Sequence, residues 1–226
     1  MRMNRGAHIC LLMSGRPSVY RSALQLISKQ LRPKGSERIS LFALFWEPVS
    51  PAVFEALDNT FDHVQLWSAN AADFSEISFA RKPDETNAGN FLSMQAGRQL
   101  LIEKLIASSE FDPALFDAFC YTRPDVCLSD QISENLLDSL AEGNIYVPKN
   151  GHWRNGINDQ FVLGRFPEIK TYLSLYSQIS SYYHLDRVSL HPELMLHHHL
   201  KVNSLIANKL TCDNVIFRSE FKFAIG

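Results

Sequence analysis

No stretch of this chain approaches the ~20 consecutive apolar residues that a membrane-crossing helix needs. Near the start, basic residues lead into "ICLLM" (9–13). That run falls short of the ~7–15 apolar residues of a secretion signal, and no small-residue cleavage site follows it. A soluble protein is expected, with a peripheral contact to a membrane surface left open. Cysteine is sparse. Cys10, Cys120, Cys127 and Cys212 stand alone, with no CxxC pair and no zinc-module spacing. Two of them lie inside apolar runs, where cysteine behaves as a small hydrophobe. A reducing, cytoplasmic setting is expected, the inner face of the membrane included. Charge of one sign is not in excess, the formal net charge being -2. No general nucleic-acid partner is therefore indicated, since such a protein shows a basic stripe or patch. GxGxxG and Walker loops are missing, as are HExxH and the G-x-S-x-G elbow. With them go a dinucleotide cofactor, a P-loop, a zinc protease and a serine hydrolase.

What is present is enough apolar material for a proper core: 46% of 226 residues. Apolar runs alternate with helical patterns. Residues 8–15, 39–46, 63–67, 115–125, 144–148 and 214–218 read as strands, and "GHWRNGINDQFVLG" (151–164) reads as a loop entering another. Helices are expected over 18–31, with Ser18 as N-cap, over 50–59, 90–110 and 129–143, over 165–180, and over 191–203. Residues 68–90 lack periodicity and read as a long polar connection. Strand–helix alternation in the first half predicts βαβ units and a mostly parallel central sheet. The expected architecture is one Rossmann-like α/β domain over 1–226. Helices flank the sheet, and the C-terminal helices pack on it. Residues 1–125 would form a nucleotide-binding half and 126–226 an acceptor-side half.

The stretch "FCYTRPDVCL" (119–128) carries most of the functional argument. It sets an arginine and a carboxylate, one proline apart, at the end of a buried strand. In open α/β sheets, ligands bind outside the carboxyl ends of the strands. Pro124 biases Arg123 toward extended backbone. Residues i and i+2 of an extended chain face one side, roughly 6.5–7 Å apart. Arg123 and Asp125 are expected to project into one crevice. A guanidinium there can grip phosphate oxygens bidentately. The aspartate can hold a divalent metal or a ribose hydroxyl. A pair that only pins a loop is the competing reading.

Four stretches in order resemble bacterial glycosyltransferase-like proteins of lipopolysaccharide and capsular polysaccharide biosynthesis, of the type-A (GT-A) glycosyltransferase fold. They are "LLMSGRPSVYRSA", "DAFCYTRPDV", "GINDQFVLG" and "HPELMLHHHL", and they span about residues 8–217. The resemblance implies a nucleotide-sugar donor and a carbohydrate or glycolipid acceptor. In the wider fold an Asp-x-Asp pair stands where Arg123-Pro124-Asp125 stands here, and it binds manganese or magnesium. Arg123 replaces the first carboxylate. A Mn²⁺ or Mg²⁺ cofactor and metal independence are therefore both open, since a cation can stabilise a leaving diphosphate directly.

The other constellations are read beside that resemblance. Ser14, Gly15 and Arg16 follow the first strand and would line the nucleotide, or form an ordinary strand–helix turn. If Asn158 to Phe161 are extended, Asn158 and Gln160 share one face and Asp159 takes the other. Asp159 is the candidate base for the acceptor hydroxyl. Trp153 would stack on a sugar and Arg154 would meet a phosphate, with Asn158 and Gln160 beside the acceptor. A polar turn that caps its own backbone is the alternative. His191 precedes Pro192 at a helix start, where it would contact the diphosphate or complete a metal site with Asp125. His197, His198 and His199 point about 100° apart and cannot share one ion. Arg98 interrupts the apolar stripe Phe91, Met94, Leu101, Leu105. It either snorkels or reaches the crevice. The expected activity is sugar transfer from a nucleotide-diphosphate sugar in surface polysaccharide assembly. A non-catalytic nucleotide- or glycan-binding module of the same fold is the alternative.

Overall fold

The structure is a computed structural model and describes residues 6–16, 21–70 and 88–217. A seven-stranded sheet runs in the order β3-β2-β1-β4-β7-β6-β8. Its strands are β1 (His8–Gly15), β2 (Arg38–Phe45), β3 (His63–Ser68), β4 (Ala118–Thr122), β6 (Asn144–Val147), β7 (Phe161–Gly164) and β8 (Ile206–Lys209). The β1–β2, β2–β3, β1–β4 and β6–β8 pairings are parallel, and β7 runs antiparallel to both of its neighbours. The expected α/β class with a mostly parallel central sheet flanked by helices is what forms.

The continuous apolar runs of β1 and β2 follow from burial on both faces, as parallel strands require. Along β1, Ile9, Leu11 and Met13 face one core, while Cys10 and Leu12 face the other. The first core takes Leu24 and Ile27 of α1 (Arg21–Gln30). The second takes α3 (Ala88–Ala107), α4 (Phe166–Leu173), α5 (Ile179–His184) and α6 (Pro192–Val202). α2 (Pro51–Asp58) starts as expected, with the Ser50 hydroxyl accepting from Val53 N and Pro51 in the first turn.

Three expectations are corrected. Residues 129–143 form no α-helix; only a 3₁₀ turn, Leu137–Ser139, appears. The apolar spacing is real, because Ile132, Leu136, Leu137 and Leu140 are all buried. The backbone is drawn elsewhere. Ile132 N donates to Gln30 O at 3.2 Å, Ser129 N donates to Asp213 O at 2.7 Å, and the Gln30 amide brackets Leu128 N and O. Residues 165–180 divide into α4, a 3₁₀ turn (Leu175–Gln178) and α5, which runs on to His184. The strand expected over 115–125 is confined to β4. After it comes a turn and a short strand, β5 (Val126–Leu128), which pairs antiparallel with β9 (Asn214–Ile216) in a separate two-stranded sheet. β5 and β8 are too short to show a period, and neither is read from the sequence. The N-cap expected at Ser18 and most of the polar connection 68–90 lie outside the described residues.

Candidate functional site

β2 and β3 lie on one side of β1 and β4 on the other. The strand order therefore reverses between β1 and β4. That is the place where an open α/β sheet leaves a crevice at its strand carboxyl ends. A cleft of about 430 Å³ sits there. Ser14, Gly15 and Arg16 line it from the end of β1, Trp46 from the end of β2, and Arg123, Pro124 and Asp125 from the end of β4. Asn90, Ser93 and Met94 of α3 close another side.

Two glycines shape this cleft. Gly15 has a φ of +147°, which side-chain-bearing residues rarely adopt, and an added Cβ would stand 3.2 Å from Pro124 Cδ. Gly97 in α3 lets the Trp46 indole lie against the helix, since a Cβ there would sit 2.5 Å from Trp46 Cζ2.

Arg123 and Asp125 do reach one cleft, but not on extended backbone. Val126 N donates to Arg123 O at 3.1 Å, which closes a four-residue turn with Pro124 in its second position. The turn brings the two side chains onto each other. Arg123 Nε donates to Asp125 Oδ1 at 2.9 Å, and Nη2 donates to Oδ2 at 2.6 Å. The side chains keep 31% and 24% of their exposure. Burial disfavours the Arg123 charge, but the bonds to Asp125 outweigh it and raise the pKa.

Behind the cleft lies a second arginine–aspartate pair. Arg98 is fully buried and Asp159 is 4% exposed. Arg98 Nε donates to Tyr121 Oη at 3.1 Å, Nη1 to Gln95 Oε1 at 3.3 Å, and Nη2 to Asp159 Oδ2 at 3.3 Å and also to Asp159 O. Burial works against this charge. Tyr121 and Asp159 more than compensate and hold its pKa above the usual arginine value. Tyr121 Oη also meets Ser14 Oγ at 3.1 Å. The chain of contacts Ser14–Tyr121–Arg98–Asp159 thus runs from the cleft wall into the core. Asp159, expected as an accessible base, is instead committed to Arg98.

The remaining expected residues gather beyond Asp159. Trp153 stacks on His191 with ring centroids 3.8 Å apart and planes 12° apart, while the Arg154 guanidinium lies 4.2 Å from the Trp153 centroid. Two groups so close cannot share one face of the indole, so both faces are covered. That corrects the expectation of a sugar stacked on Trp153. His191 is the N-cap of α6, and its Nδ1 lies 2.7 Å from Glu193 Oε2. It is not among the residues lining the cleft, so it does not join Asp125. Asn158 and Gln160 also serve the protein. Asn158 Nδ2 donates to Asn150 O at 2.8 Å and Asn214 Oδ1 at 3.0 Å, and Gln160 Oε1 accepts from Asn214 Nδ2. These bonds tie the 150–160 loop to β9 instead of facing an acceptor.

Glu193, the partner of His191, was given no role from the sequence and lies outside the cleft lining. Burial, then the neighbouring Asp159 charge, pushes its carboxyl up to about 7. Its only sequence signal was its place two residues after His191. Arg98 had a clearer one, a charge inside an apolar helical stripe. Of the histidine run, His199 is buried, with Nδ1 2.9 Å from Tyr182 Oη and Nε2 2.8 Å from Thr171 O. His198 pairs with Asp186 at 2.9 Å.

The chemistry of the donor set bears on a metal. Among the described residues, no group of three His, Cys, Asp or Glu side chains could hold an ion. Among the described residues, Asp125 is the one carboxylate lining the cleft, and Arg123 already occupies both of its oxygens. The described cleft residues by themselves do not fit a protein-held divalent cation.

Among the described residues, no helix is long and apolar enough to cross a membrane. No family model matches the chain. No curated protein matches it. Among solved structures, the apo form of mouse xyloside xylosyltransferase 1 is similar over 89% of this chain and 85% of that one, at 12% identity and a TM-score of 0.47.

Proposed function

We propose that this protein is a glycosyltransferase that takes a sugar from a nucleotide-diphosphate donor and passes it to a carbohydrate or lipid-linked acceptor in surface polysaccharide assembly. One observation carries the reading. Two stretches about 110 residues apart, Ser14–Arg16 and Arg123–Asp125, meet in one cleft at the strand-order reversal. They are two of the stretches on which the family resemblance rests. The cleft offers what a nucleoside diphosphate needs: cations at Arg16 and Arg123, small residues at Ser14 and Gly15, and an indole edge at Trp46.

In this reading Arg123 meets the diphosphate and stabilises the charge that develops as the sugar leaves. Arg16 supplies a second positive charge at the cleft rim. Asp159 is bound to Arg98 within the core and shapes the inner end of the site. The working place would be the cytoplasm, at the inner face of the membrane where lipid-linked acceptors are exposed.

The Arg98–Asp159 pair favours a second reading, in which the same cleft recognises a nucleotide or glycan without transfer. Thermal shift with UDP-, GDP- and CMP-sugars, together with donor hydrolysis, separates the two. Stabilisation with nucleotide release supports the transferase. Stabilisation with no release supports the binding module. No shift with any nucleotide ends both.

A further inference from the structure

Resting on the donor reading above, we infer that Asp125 is a built-in competitor for the phosphate site of Arg123, so the ligand's own oxygens must displace it. The two Arg123 donors that would form a bidentate grip on a phosphate, Nε and Nη2, are both bonded to Asp125, at 2.9 and 2.6 Å. A carboxylate held this way imitates one edge of a phosphate, with two oxygens in the plane of the guanidinium fork. Both side chains remain part-exposed at the cleft, 31% for Arg123 and 24% for Asp125, so an incoming anion can reach them. Among the described residues, the Asp125 carboxylate bonds only to Arg123, and its backbone is fixed independently by Phe217 N donating to Asp125 O at 2.8 Å. It can swing away without disturbing the turn.

The device sets a threshold. A singly charged anion exchanges one carboxylate-like partner for another and gains little. A diphosphate carries more charge and more acceptor oxygens, so it gains bonds that Asp125 does not provide. Asp125 does not need a metal to have a partner, because Arg123 is that partner. Selectivity of this kind uses an internal rival to raise the bar for weak ligands.

The prediction has an unusual sign. Removing Asp125 should tighten diphosphate binding, whereas a metal ligand or direct phosphate contact would weaken it when removed. The test is calorimetric titration of the intact chain with inorganic pyrophosphate in chelator, using wild type, Asp125→Asn, Asp125→Ala and Arg123→Ala. Circular dichroism and melting curves verify the fold of each variant. The expected result is pyrophosphate affinity about two- to fivefold higher in both Asp125 variants, the range an exposed ion pair is worth, and no measurable binding in Arg123→Ala. Equal or weaker binding in folded Asp125 variants overturns the competitor role while leaving the donor reading standing. Absence of binding in wild type and in every variant overturns both. Binding by the Asp125 variants but not by wild type supports the competitor in its strongest form.

Discussion

The molecule holds two arginine–aspartate pairs with opposite uses. Arg123–Asp125 sits on a turn at the mouth of the cleft, with about a quarter to a third of each side chain exposed. Arg98–Asp159 sits behind it, with side-chain exposures of 0% and 5%. Solvent screens the first, so its bond is cheap to break and easy to exchange for a ligand. Nothing can replace the second without leaving a charge unpaired in the core. The same two residue types thus make a binding group in one place and a structural lock in the other. Burial decides which.

The comparison fails first if the inner pair is dispensable. Arg98→Met should cost about 3–5 kcal/mol, because Asp159 is left buried without its cation. Denaturant unfolding monitored by circular dichroism measures this. Adding Asp159→Leu to that variant should recover part of the loss, since removing both charges also removes the unpaired one.

Next in size is the contact between the Trp46 wall of the cleft and α3. Gly97→Ala would drive a methyl into the Trp46 indole. A cost of about 1–3 kcal/mol is expected from such overpacking, with a shifted Trp46 emission spectrum. An unchanged melting temperature and spectrum would mean that the indole does not rest on α3.

A pH effect of up to about 3 kcal/mol should distinguish the buried region from the cleft. Glu193 keeps its proton in the folded state up to about 7, well above the ordinary 4.5 of the unfolded chain. Over that window the unfolded state has already released the proton, so stability falls as pH rises from about 4.5 through 7. Glu193→Gln should remove this decline in unfolding free energy measured against pH. His199 acts in the opposite direction. Burial holds it neutral and lowers its pKa below 6.5, so its contribution is present above 6.5 and is lost on acidification through the lowered value. His199→Gln should flatten the acid side of the same curve.

The smallest stability effect belongs to the outer pair, and it sharpens the contrast most. Arg123→Ala should change unfolding free energy by less than about 1 kcal/mol, yet abolish the thermal shift given by nucleotide sugars. A large loss of stability would place this pair with the inner one and remove the reason to assign it to a ligand.

Much of the frame was legible from residue order. The run 8–15 matches β1, and 63–67 lies within β3. "SPAVFEALDN" starts and stops close to where α2 does, because a Ser cap followed by Pro is a local signal. The segment 129–143 shows the limit. Its apolar spacing correctly marked what is buried, but α1 and the chain near Asp213 took its backbone hydrogen bonds. Arg98 was visible as a charge in an apolar stripe, though not its partner. Asp159 lies 61 residues away, and no local rule connects them. Trp153 looked like a sugar platform until His191 and Arg154 were found on its two faces.

The order of apolar runs and breakers alone determined an α/β sheet with helices between its first strands, since backbone preference and hydrophobic period act over a few residues. Which carboxylate met which arginine was settled only when distant strands and helices packed together. Ion pairing depends on distance and water exclusion, and both arise from the assembled fold.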